Sequence, residues 1–346
     1  MTLPPVLVSV SGKTDLGRTR DHNEDTFLVA DLSTGDASLE PLRKAHPVGP
    51  RGSLFMVADG MGGAAAGEVA SALASEAIYD HLRNTWSTDH ASTPQQFAFR
   101  VREAVEEANR RIHHYAVEHP DVRGMGTTVT VAGVFGPDLY LAQIGDSRAY
   151  MVRRGQATQL TKDQSLTQRL VDAGELTEEE AEKSERRNII LQALGPEEQV
   201  RVDLTYEELR RGDLLILCSD GLSGQVKREE FAEHAERLTD LDQLCSALID
   251  LANSRGGPDN ITVVAARFEG AGLKEPEATA QEPGYHVYAL PGDTPMEENM
   301  SAGFPTGEML PVPRIPPLPQ RPRPPVGKIT VVILFAAVIL YLLLRR

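Results

Sequence analysis

The sequence predicts a layered α+β fold, because strand-like runs arrive in consecutive pairs and amphipathic helices also arrive in consecutive pairs. A strict strand–helix–strand alternation, which would signal a parallel sheet, is absent, as is any internal repeat. Along the chain, the apolar run 54–58 reads as a strand, and 67–83 and 94–119 follow as helices with apolar residues at three- and four-residue spacing. Two strands come next, 128–134 and 139–144, then a helix over 166–173. The strand 214–218, the helices 229–235 and 241–253 and a last strand 261–268 complete the patterned zone. The stretch 32–53 is longer than a tight connection and is expected to be a loop.

Composition divides the 346 residues into a patterned domain over 1–270, a low-complexity linker over 271–328 and an apolar end over 329–344. Proline at more than every second or third position over 311–325 favours an extended polyproline spacer. The uncharged run ITVVILFAAVILYLLL, about 24 Å long as a helix, reads as a single-pass membrane anchor whose flanking Lys and Arg side chains snorkel. Arg314, Arg321, Arg323 and Lys328 on its N-terminal flank place the domain on the cytoplasmic side by the positive-inside rule. The N-terminal residues lack a basic segment followed by an apolar stretch, so no cleaved secretory signal is expected.

A net charge of −15 argues against nucleic acid as the main partner. Cys218 and Cys245 lie in apolar runs and read as core residues of a reducing compartment, and no CxxC pair suggests structural zinc. Several carboxylates have a more specific placement. Asp59 ends LFMVADG, Asp146 follows LAQIG, Asp220 ends LLILCSDG, Asp259 precedes NITVV, and Glu24 and Asp25 precede TFLVAD. Each alone reads most simply as a turn residue. Together they would place acidic groups at the rigid ends of several strands, where only a cation relieves their repulsion. An all-oxygen ligand set selects Mg²⁺ or Mn²⁺. Gly60, Gly62 and Gly63 after Asp59 would let the backbone approach an ion and leave a carbonyl free as ligand. The phosphate-cradling GxxxxGK[ST], the dinucleotide GxGxxG unit, the GxSxG elbow and the zinc HExxH motif are all missing.

Seven segments in order resemble the PPM/PP2C family of metal-dependent protein phosphatases: GRTRDHNEDTF at 17–27, LFMVADGMGG at 54–63, GMGTTVTVA at 124–132, IGDSRAY at 144–150, KDQS at 162–165, LLILCSDGL at 214–222 and GGPDNITVV at 256–264. The resemblance implies a central antiparallel β-sandwich flanked by helices on both faces, with two divalent ions, Mn²⁺ or Mg²⁺, at one rim. By position, Asp59 bridges both ions, Gly60 gives a backbone carbonyl, Asp220 and Asp259 complete one ion's ligands, and Glu24 and Asp25 serve the other. Asp146 matches a position tied to a third, weaker ion shared with Asp220, and Arg20 matches the group that grips the substrate phosphate. The implied reaction is hydrolysis of phosphoserine and phosphothreonine by a metal-activated bridging water. Phosphorylated proteins would be the partners, a membrane serine/threonine kinase and its substrates among them. Met61 stands where many relatives carry a histidine proposed as general acid, so the leaving alcohol must take its proton elsewhere. The charged segment 163–194, containing TEEEAEKSERRN, matches the variable flap beside the site. A membrane-tethered module that binds phosphoproteins without catalysis is the alternative, and it would lack the metal-ligand positions that Asp59, Asp220 and Asp259 fill here.

Overall fold

The computed structural model describes residues 4–38, 43–62, 66–90, 92–277, 281–291 and 293. Its elements run β1 (Leu7–Asp15), β2 (Asp25–Asp31), β3 (His46–Pro47), β4 (Ser53–Met61), α1 (Ala66–Thr85), α2 (Pro94–Glu118), β5 (Gly126–Thr127), β6 (Val129–Phe135), β7 (Asp138–Ile144), β8 (Arg148–Arg153) and β9 (Gln156–Gln159). There follow α3 (Leu166–Asp172), α4 (Glu178–Glu182), β10 (Asp203–Glu208), β11 (Leu214–Cys218), α5 (Asp220–Ser223), α6 (Arg228–Arg237), α7 (Leu241–Ser254) and β12 (Ile261–Glu269). One sheet has the order β3-β1-β12-β11-β8-β9 and the other β10-β7-β6-β4-β2, with β5 paired to the end of β4. The strand pairs within both sheets are antiparallel.

The two-residue period of a strand explains the layers. In β4, Phe55 and Val57 point between the sheets, where they meet Val10, Met151, Leu217 and Val264 from the opposite sheet. Leu54, Met56 and Ala58 point outward and are covered by Ala70, Ala74 and Ile78 of α1 and by Phe97, Val101 and Val105 of α2. On the other outer face, Ile216, Val263 and Ala265 pack under Phe231 of α6 and Leu244, Leu248 and Ala252 of α7. A strand buried on both faces cannot alternate in polarity, so β11 and residues 54–58 of β4 read as unbroken apolar runs, and β6 as one interrupted by the buried Thr130. The fold is therefore the expected one, two antiparallel sheets between two helix layers.

The chain does not leave the domain at Gly270, where the sequence suggested a linker. The Tyr206 N–H donates to His286 O at 2.9 Å, the Tyr288 N–H donates to Leu204 O at 2.8 Å, and Thr205 bridges Val287, so 286–288 forms a short antiparallel addition to the edge of β10. The ring of Tyr288 lies 5.1 Å from that of Tyr140 and 5.8 Å from that of Tyr206, and Leu290 is buried. The polyproline stretch and the expected membrane segment 329–344 lie outside the described residues. Among the described residues, no helix is long and apolar enough to cross a membrane.

Candidate active site

One rim of the sandwich gathers the acidic residues from both sheets. Antiparallel pairing of β2 with β4 sets Asp25 directly opposite Asp59. From the other sheet, Asp220 follows β11 after Ser219 and opens α5, while Asp259 sits just before β12. Asp146 comes from the β7–β8 turn. There Gly145 has φ of +98°, and a Cβ on it would lie 2.6 Å from Thr128 Cγ2, so only glycine can turn the chain beside β6.

The threonines leading into β6 fix Asp59 from the backbone. Thr127 Oγ1 donates to Asp59 O at 2.9 Å, the Thr128 N–H donates to the same oxygen at 2.9 Å, and the Asp59 N–H donates to Thr128 Oγ1 at 3.2 Å. Thr128 Oγ1 also bonds Ser147 Oγ at 2.8 Å, tying the residue beside Asp146 to the same frame. Gly60 is enclosed between backbones: a Cβ there would lie 2.2 Å from Gly67 O and 2.6 Å from Glu24 O, so no side chain fits. Glu24 in turn accepts the Gly67 N–H at the start of α1.

These carboxylates are held in a costly state. Burial, followed by the charges of Asp25, Asp220, Asp146 and Asp259, pushes the Asp59 carboxyl well above the usual range. Burial raises Asp25 to about 7 against the pull of the Thr262 and Ser219 hydroxyls, and raises Asp146 to about 8 with Asp220 adding repulsion. Asp220 is raised first by burial and then by Asp259, with an Asp59 hydrogen bond opposing. Burial also raises Glu24. Asp25 Oδ2 accepts the Ser219 hydroxyl at 2.8 Å, whereas Asp25 Oδ1 and Asp146 Oδ1 are buried without a hydrogen-bond partner. Orphaned buried carboxylate oxygens facing further carboxylates are chemically suited to a hard cation. Among the described residues, no group of three or more His, Cys, Asp or Glu stands ready to hold a metal ion by itself. A Mg²⁺-like ion, which keeps several of its waters and takes one or two carboxylates, still fits this arrangement.

Arg20 belongs to the same rim. Its Nη2 donates to Asp259 Oδ2 at 2.7 Å, and its guanidinium is raised first by that bond, with Glu24 and Asp59 adding to the field. Of the acidic positions singled out in the sequence, Asp25, Asp59, Asp146, Asp220 and Asp259 thus come together, with Glu24, Arg20 and Gly60 at the margin. The sequence reading gave no role to Ser219 and Thr262, whose hydroxyls serve Asp25, or to Arg148. Arg148 Nη2 pairs with Asp163 Oδ2 at 2.7 Å, and its charge pulls Asp146 and Asp220 down. Both partners lie inside matched motifs, IGDSRAY and KDQS, but nothing in a linear sequence pairs one with the other.

Known proteins are similar to this chain in sequence and in fold. The family model described as "Protein phosphatase 2C" matches residues 43–253. The serine/threonine phosphatase stp of Listeria monocytogenes is 36% identical over 252 residues, covering 73% of this chain and 92% of that protein. The serine/threonine protein phosphatase PstP of Mycobacterium tuberculosis is 43% identical over 241 residues, which span 70% of this chain and 45% of PstP. The crystal structure of the M. tuberculosis phosphatase PstP/Ppp aligns with a TM-score of 0.64 at 37% identity, covering 76% of this chain and 99% of that one. A structure of the PstP catalytic domain in complex with two manganese ions aligns at 0.61 and 36% identity, with the same coverage of both chains. With a family model spanning most of the chain and a relative at 36% identity matched over 92% of its length, this chain belongs to the protein phosphatase 2C family.

Proposed function

We propose that this chain, a serine/threonine protein phosphatase of the 2C type, hydrolyses phosphoserine and phosphothreonine in proteins at a two-cation site centred on Asp59. The observation that carries the reading is the crowd of carboxylates that raise one another around Asp59, two of them with orphaned buried oxygens. In this assignment Asp59, the Gly60 carbonyl, Asp220, Asp259, Glu24 and Asp25 would hold the two ions, directly or through water, with Asp59 shared between them. Asp146 with Asp220 would hold a third ion. Bound Mn²⁺ or Mg²⁺ would supply Lewis acidity, which would lower the pKa of a metal-activated water and screen the phosphate charge. The two-manganese complex of PstP is consistent with that stoichiometry.

The chain's own groups do the rest. Arg20 presents a planar fork to two phosphate oxygens, orienting the group and stabilising the charge that develops on it. Asp59, fixed through its backbone to Thr127 and Thr128, keeps the reacting centre in place without reorganisation. The thioether of Met61 has no proton to give, so the leaving alcohol is protonated by another group. We further propose that 329–344 anchors the domain to the cytoplasmic face of a membrane, where a membrane-bound serine/threonine kinase and its substrates are natural counterparts.

The test is release of phosphate from phosphothreonine and phosphotyrosine peptides by the full chain, with and without Mn²⁺. We expect manganese dependence, a strong phosphothreonine preference and a rate loss of about 10³-fold or more in Asp59→Asn. Full activity of Asp59→Asn would remove the bridging assignment.

A further inference from the structure

We propose that Asn260 is the positioning residue that sets where Arg20 and Glu24 stand in the site. The inference rests on the roles given above to those two residues. Asn260 is 4% exposed, and its amide is nearly fully used. Nδ2 donates to Leu16 O at 3.0 Å and to His22 O at 2.9 Å, while Oδ1 accepts the Glu24 N–H at 2.9 Å. Three bonds from one side chain therefore grip both ends of the loop 16–24. Arg20 lies between the two gripped carbonyls, and Glu24 carries the third bond itself.

The ends of the loop have further ties, the Gly60 N–H donating to Glu24 O at 3.1 Å and Asn23 Nδ2 to Thr14 Oγ1 at 2.8 Å, but its middle has few. Residues 18–22 are all exposed, so no buried side chain of their own anchors them. Their remaining ties run to the same segment of chain: the Arg18 N–H donates to Gly257 O at 2.7 Å, and Thr19 Oγ1 donates to Pro258 O at 2.6 Å. Gly17, with φ of +79°, permits this close approach, since a Cβ there would lie 2.1 Å from Asp259 O. The loop is thus laid along 257–260 and pinned through Asn260, the residue next to the Asp259 that receives Arg20. The chemistry is specific to an amide, because two carbonyls and one N–H demand two donors and one acceptor. An aspartate of the same size would keep the acceptor for Glu24 but set its other carboxylate oxygen against both carbonyls.

The consequence is a defined pattern of damage. Without the amide, Arg20 loses its fixed origin while Glu24 loses one of several ties, and the effect falls on phosphate binding through Arg20. In the full-length, manganese-loaded protein, Asn260→Ala should raise both the KM for a phosphothreonine peptide and the inhibition constant of inorganic phosphate about tenfold. Arg20→Ala should be costly in the wild type but add less than about twofold in the Asn260→Ala background, since the guanidinium is already misplaced. If Asn260→Ala does not yield folded protein, Asn260→Asp is read in the same way, as it keeps the size and the acceptor for Glu24 while losing both donors. The proposal is overturned if the folded variant only melts lower with phosphate inhibition unchanged, or if Arg20→Ala costs the same in both backgrounds. Failure of the underlying reading looks different: Arg20→Ala would then leave phosphate inhibition unaltered in the wild type.

Discussion

Asp25 shows how a functional site is maintained against the stability of the fold. Its Oδ2 is satisfied by Ser219, but Oδ1 is buried, unpartnered and directed into a field of like charge. In chelator, Asp25→Asn should therefore be more stable than the wild type by about 1–2 kcal/mol, a rise of roughly 2–6 °C in Tm. Saturating Mn²⁺ should reverse the order, because a cation stabilises only the form that binds it well. A less stable Asn variant in chelator would mean that Asp25 is not strained. Elsewhere a carboxylate behaves in the opposite way. The Arg255 guanidinium, bonded to Glu230 at 2.6 and 2.7 Å, holds that carboxyl down at about 2, below the usual glutamate value of 4.5. Because the folded-state value is the lower one, the stabilisation is present above pH 4.5 and fades as pH falls toward 2. Glu230→Gln should cost about 1 kcal/mol at neutral pH after solvent screening, with the gap closing on acidification in urea titrations. At this scale the sequence exposed the acidic positions that gather at the rim, since carboxylates at strand ends are conspicuous. It did not expose their hydroxyl, amide and guanidinium supports. Ser219, Asn260 and Arg148 act through partners 194, 244 and 15 residues away.

Elements were legible where burial on both faces left an unbroken apolar run, as in β11 and residues 54–58 of β4, or nearly so, as in β6, and where helices carried a regular apolar stripe. β1 was not: in LVSVSGKTD the buried run includes Ser11 and Gly12 while Leu7 is only half-buried, so its polarity does not mark a strand. The segment 286–288 was hidden for another reason. It is short, lies in a stretch whose composition reads as linker, and is held by β10 rather than by any periodicity of its own. Its removal has a definite consequence. A chain ending at residue 270 should lose about 2–4 kcal/mol relative to one ending at 293, because Tyr140, Tyr206 and Leu204 lose the cover of Tyr288 and Leu290. Hydrogen exchange locates the effect: the Tyr206 amide, which donates to His286 O, should lose its protection, while amides in β11 and β12 exchange as before. Unchanged protection at Tyr206 would show that the added strand contributes nothing to the edge.

At the scale of the whole molecule, the site exists because two sheets end at the same rim. Asp25 and Asp59 come from one sheet, with Glu24 just before β2, Asp220 and Asp259 flank β11 and β12 of the other, and the β7–β8 turn between the sheets brings Asp146. Seven short motifs in fixed order made this legible, since each alone is an ordinary turn and only their succession matches one fold. The address of the molecule is a separate physical question. Beyond the packed segment that ends near Leu290, the chain continues through a proline-rich stretch to the apolar run 329–344. Extended at about 3.1 Å per residue, 311–325 alone would reach roughly 45 Å, enough to hold an acidic domain clear of an anionic lipid surface. An apolar run of this length, flanked by Lys328, Arg345 and Arg346, should partition into a bilayer despite being short, with the cations snorkelling to the interfaces. Full-length protein should therefore sediment with membranes and resist extraction by high salt and carbonate, and deletion of 329–346 should release it to the supernatant with its activity on soluble phosphopeptides unchanged. Salt-extractable full-length protein would reduce the attachment to electrostatics, and a truncated protein that still sediments would move the anchor elsewhere in the chain.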